Sequence, residues 1–262
     1  MMRKHLFDLS GKVTVVTGAT GHLGRIICAG LADSGSKLAV CSTALERADD
    51  LARAIAEEYR VDVVGFRLDL TELTAIKQVV TDIGQRFGQI DCLVNNAYFG
   101  AKNDFDSMTP EEWAAGIDGA VTGNMFMMQA CLPFLEQSRG NVINIASMYG
   151  MVSPIPSIYE DTTYANPVNY GVGKAALLQL TKFAAVHLAE KGIRVNAISP
   201  GPFPSSTVQE NTTFIRRLEE KVPLGRIGKP EELIGSVVFL ASDAASYITG
   251  HNLVVDGGWT IW

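Results

Sequence analysis

Tyr170 and Lys174 are the two residues of this 262-residue sequence whose types and spacing most clearly suggest chemistry. They lie four positions apart at the start of a stretch with helical spacing, so their side chains share one face of the predicted helix. A free tyrosine has a pKa of about 10, too high for a base at neutral pH. A neighbouring ammonium favours the phenolate and lowers that pKa. The pair therefore predicts a general acid/base, Tyr170, activated by Lys174.

Ser147 is a third candidate for catalysis. It follows a predicted strand, and its hydroxyl can hold a substrate oxygen. Other tyrosines lie close by in the sequence, but Tyr149, Tyr159 and Tyr164 have no lysine four residues later. The sequence therefore predicts that Tyr170, and not one of its neighbours, is the catalytic tyrosine that acts with Ser147.

A glycine-rich turn, TGATGHLG at residues 17–24, lies between the first predicted strand and the first predicted helix. Gly18 would allow a tight turn, Gly21 would let the backbone approach a pyrophosphate, and Gly24 would let the helix pack closely on the sheet. The helix N-terminus offers free N–H groups and a partial positive charge to phosphates. The turn therefore predicts a dinucleotide cofactor, because the motif stands in the strand–turn–helix context that it requires.

Ser42, at the end of the second predicted strand, bears on the choice between NAD and NADP. An acidic side chain there would accept a hydrogen bond from the ribose 2′-hydroxyl and favour NAD. Neither Ser42 nor the following Thr43 is acidic, so a 2′-phosphate meets no repulsion, and NADP is slightly favoured. Arg47 either reaches that phosphate or is a solvated charge on the second helix.

Seven short, β-branched runs alternate with helical patterns along the chain. The predicted strands are 12–17, 37–41, 61–68, 90–94, 141–145, 194–198 and 252–255, and the helices after the first one cover 46–59, 73–87, 113–135, 170–191 and 231–240. This alternation predicts an α/β fold: one domain, residues 1–262, with a Rossmann-type, doubly wound parallel sheet and helices on both faces. Ligands of such folds bind beyond the carboxyl ends of the strands.

Composition excludes several other classes of protein. The net charge of −6 argues against a nucleic-acid-binding or membrane-binding surface. No apolar run approaches about 18 residues, and the first residues lack the apolar region of a signal peptide, so a cytoplasmic protein with a small-molecule substrate is expected. No metal site is expected, and the four cysteines are expected to be buried thiols: Cys28, Cys41, Cys92 and Cys131.

Together these features resemble the short-chain dehydrogenase/reductase family over essentially the whole chain. The markers are TGATGHLG, Asp69-Leu70, NNA at 95–97, Ser147, YGVGK, RVN at 194–196, Pro200-Gly201, PLGR at 223–226 and DGG at 256–258. The resemblance implies an NAD(P)-dependent oxidoreductase that moves hydride between nicotinamide and an alcohol or carbonyl carbon, with Ser147, Tyr170 and Lys174 as catalytic residues. It also implies a homo-oligomer, a dimer or homotetramer, paired through the two long helices and the C-terminal strand.

The same resemblance implies which residues contact the cofactor. Asp69 and Leu70 would contact the adenine, Asn95 and Ala97 the ribose side, and residues 200–203 the nicotinamide carboxamide. The full set of implied cofactor residues is Gly18, Gly21, Leu23, Gly24, Ser42, Asp69, Leu70, Asn95, Ala97, Tyr170, Lys174, Pro200, Gly201 and Phe203.

Three positions depart from the family's usual pattern. His22 replaces the middle glycine of the turn, in a spacing that resembles the extended branch of the family, and Tyr98 replaces the glycine that usually follows NNA. The Tyr98 ring either walls the substrate pocket or points to solvent. Ala120 stands where the family usually has an asparagine of the proton relay, which predicts slower or rerouted proton transfer. Asn124, one turn later, either substitutes for it in part or satisfies local polar groups.

The segment between Ser147 and Tyr170, at about 148–169, is longer than the family's usual spacing. Its three prolines exclude a plain helix, so a loop that folds over the site is expected. The hydrogen-bonding side chains of this insert suit a polyhydroxylated substrate, and the candidate substrate residues are Tyr98, Tyr159 and Glu160, with Asp161, Thr162 and Thr163 adding polar groups.

The substrate itself stays a hypothesis at this point. The NNAY turn and the IYE segment resemble a subset of the family tied to surface-glycan and flagellin-sugar biosynthesis, which suggests a sugar. Two alternatives remain open. One is a non-catalytic dinucleotide-binding sensor or scaffold, and the other is an epimerase or dehydratase that works through a transient keto intermediate.

Overall fold

Seven parallel strands form one sheet at the centre of the computed structural model, which describes residues 6–100, 103–160 and 166–262. The strands are β1 (Val13–Val16), β2 (Lys37–Ser42), β3 (Val63–Arg67), β4 (Cys92–Asn95), β5 (Asn141–Ile145), β6 (Arg194–Pro200) and β7 (Asn252–Val255). Their order across the sheet is β3-β2-β1-β4-β5-β6-β7, so the winding reverses between β1 and β4. The predicted doubly wound parallel sheet is confirmed.

Helices cover both faces of this sheet. Those of the described ranges are α1 (His22–Asp33), α2 (Leu45–Tyr59), α3 (Leu73–Phe87), α4 (Pro110–Ile117), α5 (Gly123–Ser138), α6 (Val168–Leu188), α7 (Ser206–Gln209), α8 (Thr212–Glu219) and α9 (Ile234–Ala241). One hydrophobic cluster contains buried side chains of α1, α2 and α9, and a second contains those of α3, α5 and α6. Neighbouring strand residues alternate between them: Val16 belongs to the first and Val15 to the second. Both faces of this central strand are therefore apolar, as a sheet covered on both sides requires.

The helix predicted over 113–135 is divided in the structure. α4 ends at Ile117, a π-helical turn covers Asp118–Thr122, and α5 begins at Gly123. Such turns insert an extra residue into a helix and are frequently found at functional sites. The turn contains Ala120, the position at which the sequence departs from the usual relay asparagine.

The short helices α7 and α8 follow β6 and were not predicted. Phe214 and Leu218 of α8 pack with Met148, Tyr149 and Ile158 in a third hydrophobic cluster. The insert therefore packs against α8, and it contains two 3₁₀ turns, Met148–Gly150 and Pro156–Ile158, in place of a plain helix. Asp161, Thr162 and Thr163 of the insert lie outside the described residues.

All four cysteines are buried and free, as predicted. Burial raises the pKa of each thiol, so none is poised to react as a thiolate. Within the ranges that the structure covers, no helix combines the length and apolar character needed to cross a membrane. The described side chains also include no cluster of His, Cys, Asp or Glu placed to hold a metal ion.

Candidate active site

A cavity of about 680 Å³ lies at the carboxyl ends of the strands, lined by residues that follow six of the seven. A volume in this range suits a cofactor or small-molecule site. The predicted residues that line it are Gly18, Gly21, Leu23, Ser42, Asp69, Leu70, Ala97, Tyr98, Ser147, Tyr170, Lys174, Pro200, Gly201 and Phe203. The fold thus brings together side chains that the sequence spreads over more than half of its length.

The glycines of the first turn make close backbone contacts. Gly18 has a φ of +60°, and a Cβ at this position would lie 2.8 Å from the Cα of Ala97. A Cβ at Gly24 would lie 2.3 Å from the carbonyl oxygen of Gly18, so Gly24 serves the helix packing expected of it and does not line the cavity. A side chain at either position would clash with neighbouring backbone and displace the turn that a pyrophosphate must approach.

The N-terminus of α1 faces this cavity. Gly21 is its N-cap residue and supplies no side-chain hydrogen bond, and the first turn contains no acidic residue. The first N–H groups of the helix and its partial positive charge are therefore available to an anion. His22, which replaces the usual glycine, is exposed and lines the same cavity. The residues present fit a dinucleotide with its phosphates at this helix end.

Hydroxyl groups and one guanidinium lie where β2 ends. The Ser42 and Thr20 hydroxyl oxygens are 2.9 Å apart. Arg47 donates to the Thr43 hydroxyl over 3.3 Å, and all four side chains line the cavity. This is the chemistry that a ribose 2′-phosphate requires. Hydrogen bonds from Thr71 lower the pKa of Asp69, which keeps this carboxylate ionised at the neighbouring edge.

The two asparagines of the NNA segment occupy different positions, and the one expected on the ribose side of the cofactor, Asn95, is not the one at the cavity. Asn95 does not line the cavity: its side chain is buried behind the sheet edge and donates to the Asn144 side chain over 2.9 Å. Asn96 does line it and donates to the carbonyl oxygens of Thr17 and Gly18 over 3.1 and 3.0 Å. Asn96 therefore holds the glycine turn in place.

Ser147, Tyr170 and Lys174 meet on the other side of the cavity. Ser147 follows β5, and its hydroxyl oxygen accepts a hydrogen bond from the Tyr149 N–H over 3.1 Å. Tyr170 and Lys174 occupy the first turns of α6, and the Lys174 Nζ lies 5.8 Å from the centre of the Tyr170 ring. That nitrogen donates to the Ile145 carbonyl oxygen over 2.7 Å. The predicted sharing of one helix face by Tyr170 and Lys174 is confirmed.

The direction of the Tyr170 pKa differs from the prediction. Burial raises the pKa of Tyr170 above its ordinary value, and the nearby Tyr159 raises it further, whereas a hydrogen bond from Ser147 lowers it. Burial also lowers the pKa of Lys174 to about 8. The prediction that Lys174 brings the Tyr170 pKa below its usual range is wrong for this arrangement of protein groups, because burial is the largest cause of the shift and the lowering contribution comes from Ser147.

The Tyr98 ring lies inside the site. It meets the Tyr170 ring edge to face, with the ring centres 4.9 Å apart and an angle of 84° between the planes. Burial raises the pKa of Tyr98 to about 12, so its hydroxyl stays protonated. Of the two orientations that the sequence left open, the structure supports the one in which this ring is a wall of the pocket.

A second cavity, of about 350 Å³, adjoins the first beyond the Tyr170 hydroxyl. It shares Tyr98, Ser147, Tyr170, Gly201 and Phe203 with the first cavity, and its other lining residues are Met148, Tyr149, Tyr159, Asn166, Pro167, Pro202, Pro204, Val208, Phe214 and Leu218. Of these other residues, only Tyr159 was predicted to contact a substrate. Val208, Phe214 and Leu218 were missed because α7 and α8 were not recognised. The apolar residues Phe214 and Leu218, four apart, were the available signal.

Of the two substrate residues predicted in the insert, the structure supports one. The Tyr159 hydroxyl lies 2.5 Å from the Tyr149 hydroxyl and accepts a hydrogen bond from Asn166 over 2.8 Å at the wall of the second cavity. Glu160 lines neither cavity, and its backbone carbonyl accepts a hydrogen bond from Arg217 of α8. The assignment of Glu160 is therefore corrected: it joins the insert to α8 through its backbone.

Ala120, which stands where the family usually has the relay asparagine, is a packing residue. Ala120 is fully buried, and a Cβ on Gly173 would come within 2.5 Å of the Ala120 side chain. Asn124 is also buried, and its amide nitrogen donates to the Ala120 carbonyl oxygen over 2.8 Å. This supports the second of the two interpretations, in which Asn124 satisfies a local polar group.

Comparisons with known proteins agree with this geometry. A family model described as enoyl-(acyl carrier protein) reductase matches residues 18–260. The 3-oxoacyl-(acyl-carrier-protein) reductase FabG of Aquifex aeolicus is 34% identical over 95% of this chain and 98% of its own length. The NADP-dependent mannitol dehydrogenase of Alternaria alternata is 33% identical, over 98% of this chain and 96% of its own.

A solved structure of a short-chain type dehydrogenase/reductase from Mycobacterium marinum superposes with a TM-score of 0.87 at 34% identity, covering 98% of each chain. Sequence relatives and structural similarity thus span nearly the full length, and the fit of the first cavity to a dinucleotide agrees with both. The chain belongs to the short-chain dehydrogenase/reductase family and is an NAD(P)-dependent oxidoreductase, with a lean to NADP.

Proposed function

We propose that this enzyme transfers hydride between NADP(H) and the carbonyl or carbinol carbon of a polyhydroxylated substrate, with Ser147, Tyr170 and Lys174 as its catalytic residues. The observation that carries the proposal is the second cavity, which opens beside the Ser147 and Tyr170 hydroxyls and combines aromatic rings with hydroxyl and amide groups. A bound polyol could meet both kinds of surface at once, with its C–H groups on the rings and its hydroxyls on the polar groups.

The polar groups of this cavity form a connected set. Tyr149, Tyr159 and Asn166 are linked by contacts of 2.5 and 2.8 Å, which orient both phenols. Phenols can donate and accept hydrogen bonds, so they match substrate hydroxyls, which do the same. The names of two relatives, a mannitol dehydrogenase and a sorbose reductase, supply further support for a polyol or sugar.

The positions of the catalytic residues support the following roles. Ser147 and Tyr170 hydrogen-bond the substrate oxygen, and in the reductive direction Tyr170 gives its phenolic proton to that oxygen as the carbonyl becomes an alcohol. When bound, NADPH supplies the hydride that adds to the carbonyl carbon. Lys174, whose ammonium is anchored on the Ile145 carbonyl, would hold the ribose next to the nicotinamide.

The hydroxyl-rich end of β2 would recognise the 2′-phosphate. Thr20, Ser42 and Thr43 supply hydroxyls, and Arg47 supplies the positive charge that these residues lack. The Thr43 hydroxyl orients the guanidinium toward the cavity that both residues line. We infer from this arrangement that NADP binds more tightly than NAD.

The NNAY turn and the IYE segment favour a narrower proposal, in which the substrate is a sugar used in surface-glycan or flagellin modification. Tyr98 of the turn and Tyr159 of the insert both line the second cavity, so the two segments that carry that similarity border the same space.

The experiment is a cofactor and substrate panel with the purified protein. Turnover of NADPH and NADH is measured with sugars, sugar phosphates, nucleotide sugars, simple ketones and 3-oxoacyl thioesters. The proposal expects sugars or their derivatives to give the highest kcat/KM with NADPH. Turnover of simple ketones or acyl thioesters without any turnover of sugars would contradict the substrate proposal. Turnover without net cofactor oxidation would instead indicate an epimerase or dehydratase.

We also propose that the chain self-associates through α5 and α6 and through its C-terminal residues. Large apolar side chains are exposed there: Phe183 and Val186 are 66% and 80% exposed on α6, and Trp262 is 78% exposed. Burial of such side chains between subunits would stabilise a dimer or tetramer. Sedimentation velocity of the unmodified protein and of Phe183→Glu tests this: the variant should dissociate to smaller species, and a monomeric unmodified protein would contradict the proposal.

A further inference from the structure

Tyr98, which stands where the family usually has glycine, contacts both members of the catalytic pair. Its ring centre lies 4.9 Å from that of Tyr170, edge to face. The Lys174 Nζ lies 5.6 Å from the centre of the Tyr98 ring and 5.8 Å from that of Tyr170. The three side chains thus form one compact group at the boundary between the two cavities.

The Tyr98 hydroxyl takes no part in these contacts with Tyr170 and Lys174. Its oxygen is buried and has no hydrogen-bond partner within the described part of the chain. A Cβ at Gly100 would lie 2.6 Å from this oxygen and 3.0 Å from the Cα of Gly116, so the tip of the ring is enclosed by two glycine backbones. The enclosed tip fixes the ring plane, and the ring itself is the part that faces Tyr170 and Lys174.

The burial of the Lys174 ammonium indicates what the Tyr98 ring contributes. Lys174 is 3% exposed, and among the described residues its ammonium donates to a single backbone carbonyl, that of Ile145. An ammonium removed from water is costly unless other groups compensate it. The negative face of an aromatic ring attracts a cation within about 6 Å, and edge-to-face ring pairs attract each other as well. Tyr98 can therefore stabilise the ammonium and restrain the Tyr170 ring together.

We propose that Tyr98 is a positioning residue for catalysis. Its aromatic ring holds the Tyr170 phenol and the Lys174 ammonium in a fixed relative position and keeps water out of the space between them. The inference rests on the proposed catalytic roles of Tyr170 and Lys174, and it adds a residue that acts through them without touching the reacting atoms. It requires the ring and does not require the hydroxyl.

The test compares Tyr98→Leu, which removes the ring, with Tyr98→Phe, which keeps it. With the fastest carbonyl substrate of the panel, we expect Tyr98→Leu to lower kcat about tenfold, equivalent to about 1.4 kcal/mol in the barrier, a larger change than in KM or in the Kd for NADPH. Tyr98→Phe should restore most of kcat. Phe105→Leu is the matched control, because Phe105 follows in the same loop but is 79% exposed.

A spectroscopic titration tests the same inference without turnover. The near-ultraviolet phenolate absorbance of each protein, minus that of the same protein carrying Tyr170→Phe, isolates the ionisation of Tyr170. Loss of the Tyr98 ring admits water beside Tyr170, so the Tyr170 pKa should fall in Tyr98→Leu and stay in place in Tyr98→Phe. This readout remains available if no carbonyl substrate is turned over, an outcome that would contradict the proposed function alone.

Gly100→Ala tests the other end of the Tyr98 side chain, at its hydroxyl. The added methyl group would displace the Tyr98 hydroxyl, so kcat should fall, and this effect should be smaller in the Tyr98→Phe background, where the displaced oxygen is absent. The inference is overturned if Tyr98→Leu keeps both kcat and the Tyr170 titration. It is equally overturned if Tyr98→Phe loses as much activity as Tyr98→Leu, since the hydroxyl would then carry the effect.

Discussion

The hydroxyl oxygens of Tyr149 and Tyr159 lie 2.5 Å apart, although the two residues are ten positions apart in the insert. The contact joins the 3₁₀ turn at the start of the insert to its later part, at the wall of the second cavity. Because the Asn166 amide donates to the same Tyr159 oxygen over 2.8 Å, the Tyr159 hydroxyl is held from two sides. Its orientation is therefore set before a substrate arrives.

Tyr159→Phe should raise KM for a polyhydroxylated substrate about fivefold and leave kcat nearly unchanged. The reason is that a hydroxyl-reading group is lost while Tyr170 and Ser147 stay in place, and one hydrogen bond accounts for about 1 kcal/mol. Steady-state kinetics with a sugar and with a simple ketone measure the effect, which should be confined to the sugar. Tyr247→Phe, at a fully exposed tyrosine, is the control. An equal rise in KM for both substrates would contradict a role in recognition.

Tyr170→Phe should lower kcat about a thousandfold, because proton transfer to the substrate oxygen loses its donor. The Kd for NADPH should stay within a few-fold of the original, since the ring and its packing against Tyr98 remain. Single-turnover kinetics and cofactor fluorescence titration measure the two quantities. A variant with nearly unchanged kcat would remove Tyr170 from the mechanism.

Lys174→Met should abolish turnover and yet stabilise the fold near neutral pH. Burial lowers the folded-state pKa of Lys174 to about 8, whereas an unfolded lysine has a pKa of about 10.4. Burial of the ammonium therefore lowers the free energy of unfolding by on the order of 3 kcal/mol, relative to a neutral side chain at the same position.

The sign of the pH dependence follows from these two pKa values. Below about pH 8 the lysine is charged in both states and the destabilisation is complete. Between about pH 8 and about pH 10.4 the folded state has released its proton while the unfolded state retains it, so the stability of the unmodified protein rises with pH. Urea unfolding of both proteins across this range should show the advantage of Lys174→Met shrinking as pH rises. An advantage independent of pH would contradict the buried, destabilised ammonium.

Arg47→Ala should weaken NADPH binding about tenfold and leave NADH binding unchanged, because only NADPH carries the 2′-phosphate that the guanidinium would neutralise. Isothermal titration calorimetry with each cofactor gives the two Kd values. Arg53→Ala is the matched control: it lies in the same helix, α2, and pairs with Asp50 on the exposed surface. An equal loss for both cofactors, or a loss in the control, would remove Arg47 from cofactor selection.

Elements with strong local patterns were predicted closely. The helix over 73–87 and the strands over 141–145 and 252–255 have the predicted bounds, because in each case the chain carries a clear apolar period or a bounded β-branched run. The short helices α7 and α8 escaped prediction, since four to eight residues contain too few helical turns to show a period. The π-helical turn that divides the helix predicted over 113–135 adds one residue to a continuing helix and leaves no local signal.

Where two adjacent polar residues could each line a cavity, only the tertiary structure shows which of them does. Asn95 is the last residue of β4 and is buried, whereas Asn96 follows the strand and lines the cavity. The sequence places both at the carboxyl end of a strand, but which one turns outward depends on where pairing ends. Glu160 and Tyr159 show the same limit: both are polar residues of the insert, and packing against α8 places only Tyr159 at the second cavity.

The amino-acid sequence alone determined the fold class, the glycine turn, and the placement of Tyr170 and Lys174 on one helix face, because each depends on spacings within a few residues. Tertiary structure decided the direction of the Tyr170 pKa, the inward position of the Tyr98 ring, and the second cavity formed with α8. These properties depend on how much water is removed by segments distant in sequence. Desolvation and close packing are sums over all neighbours in space, so no local pattern contains them.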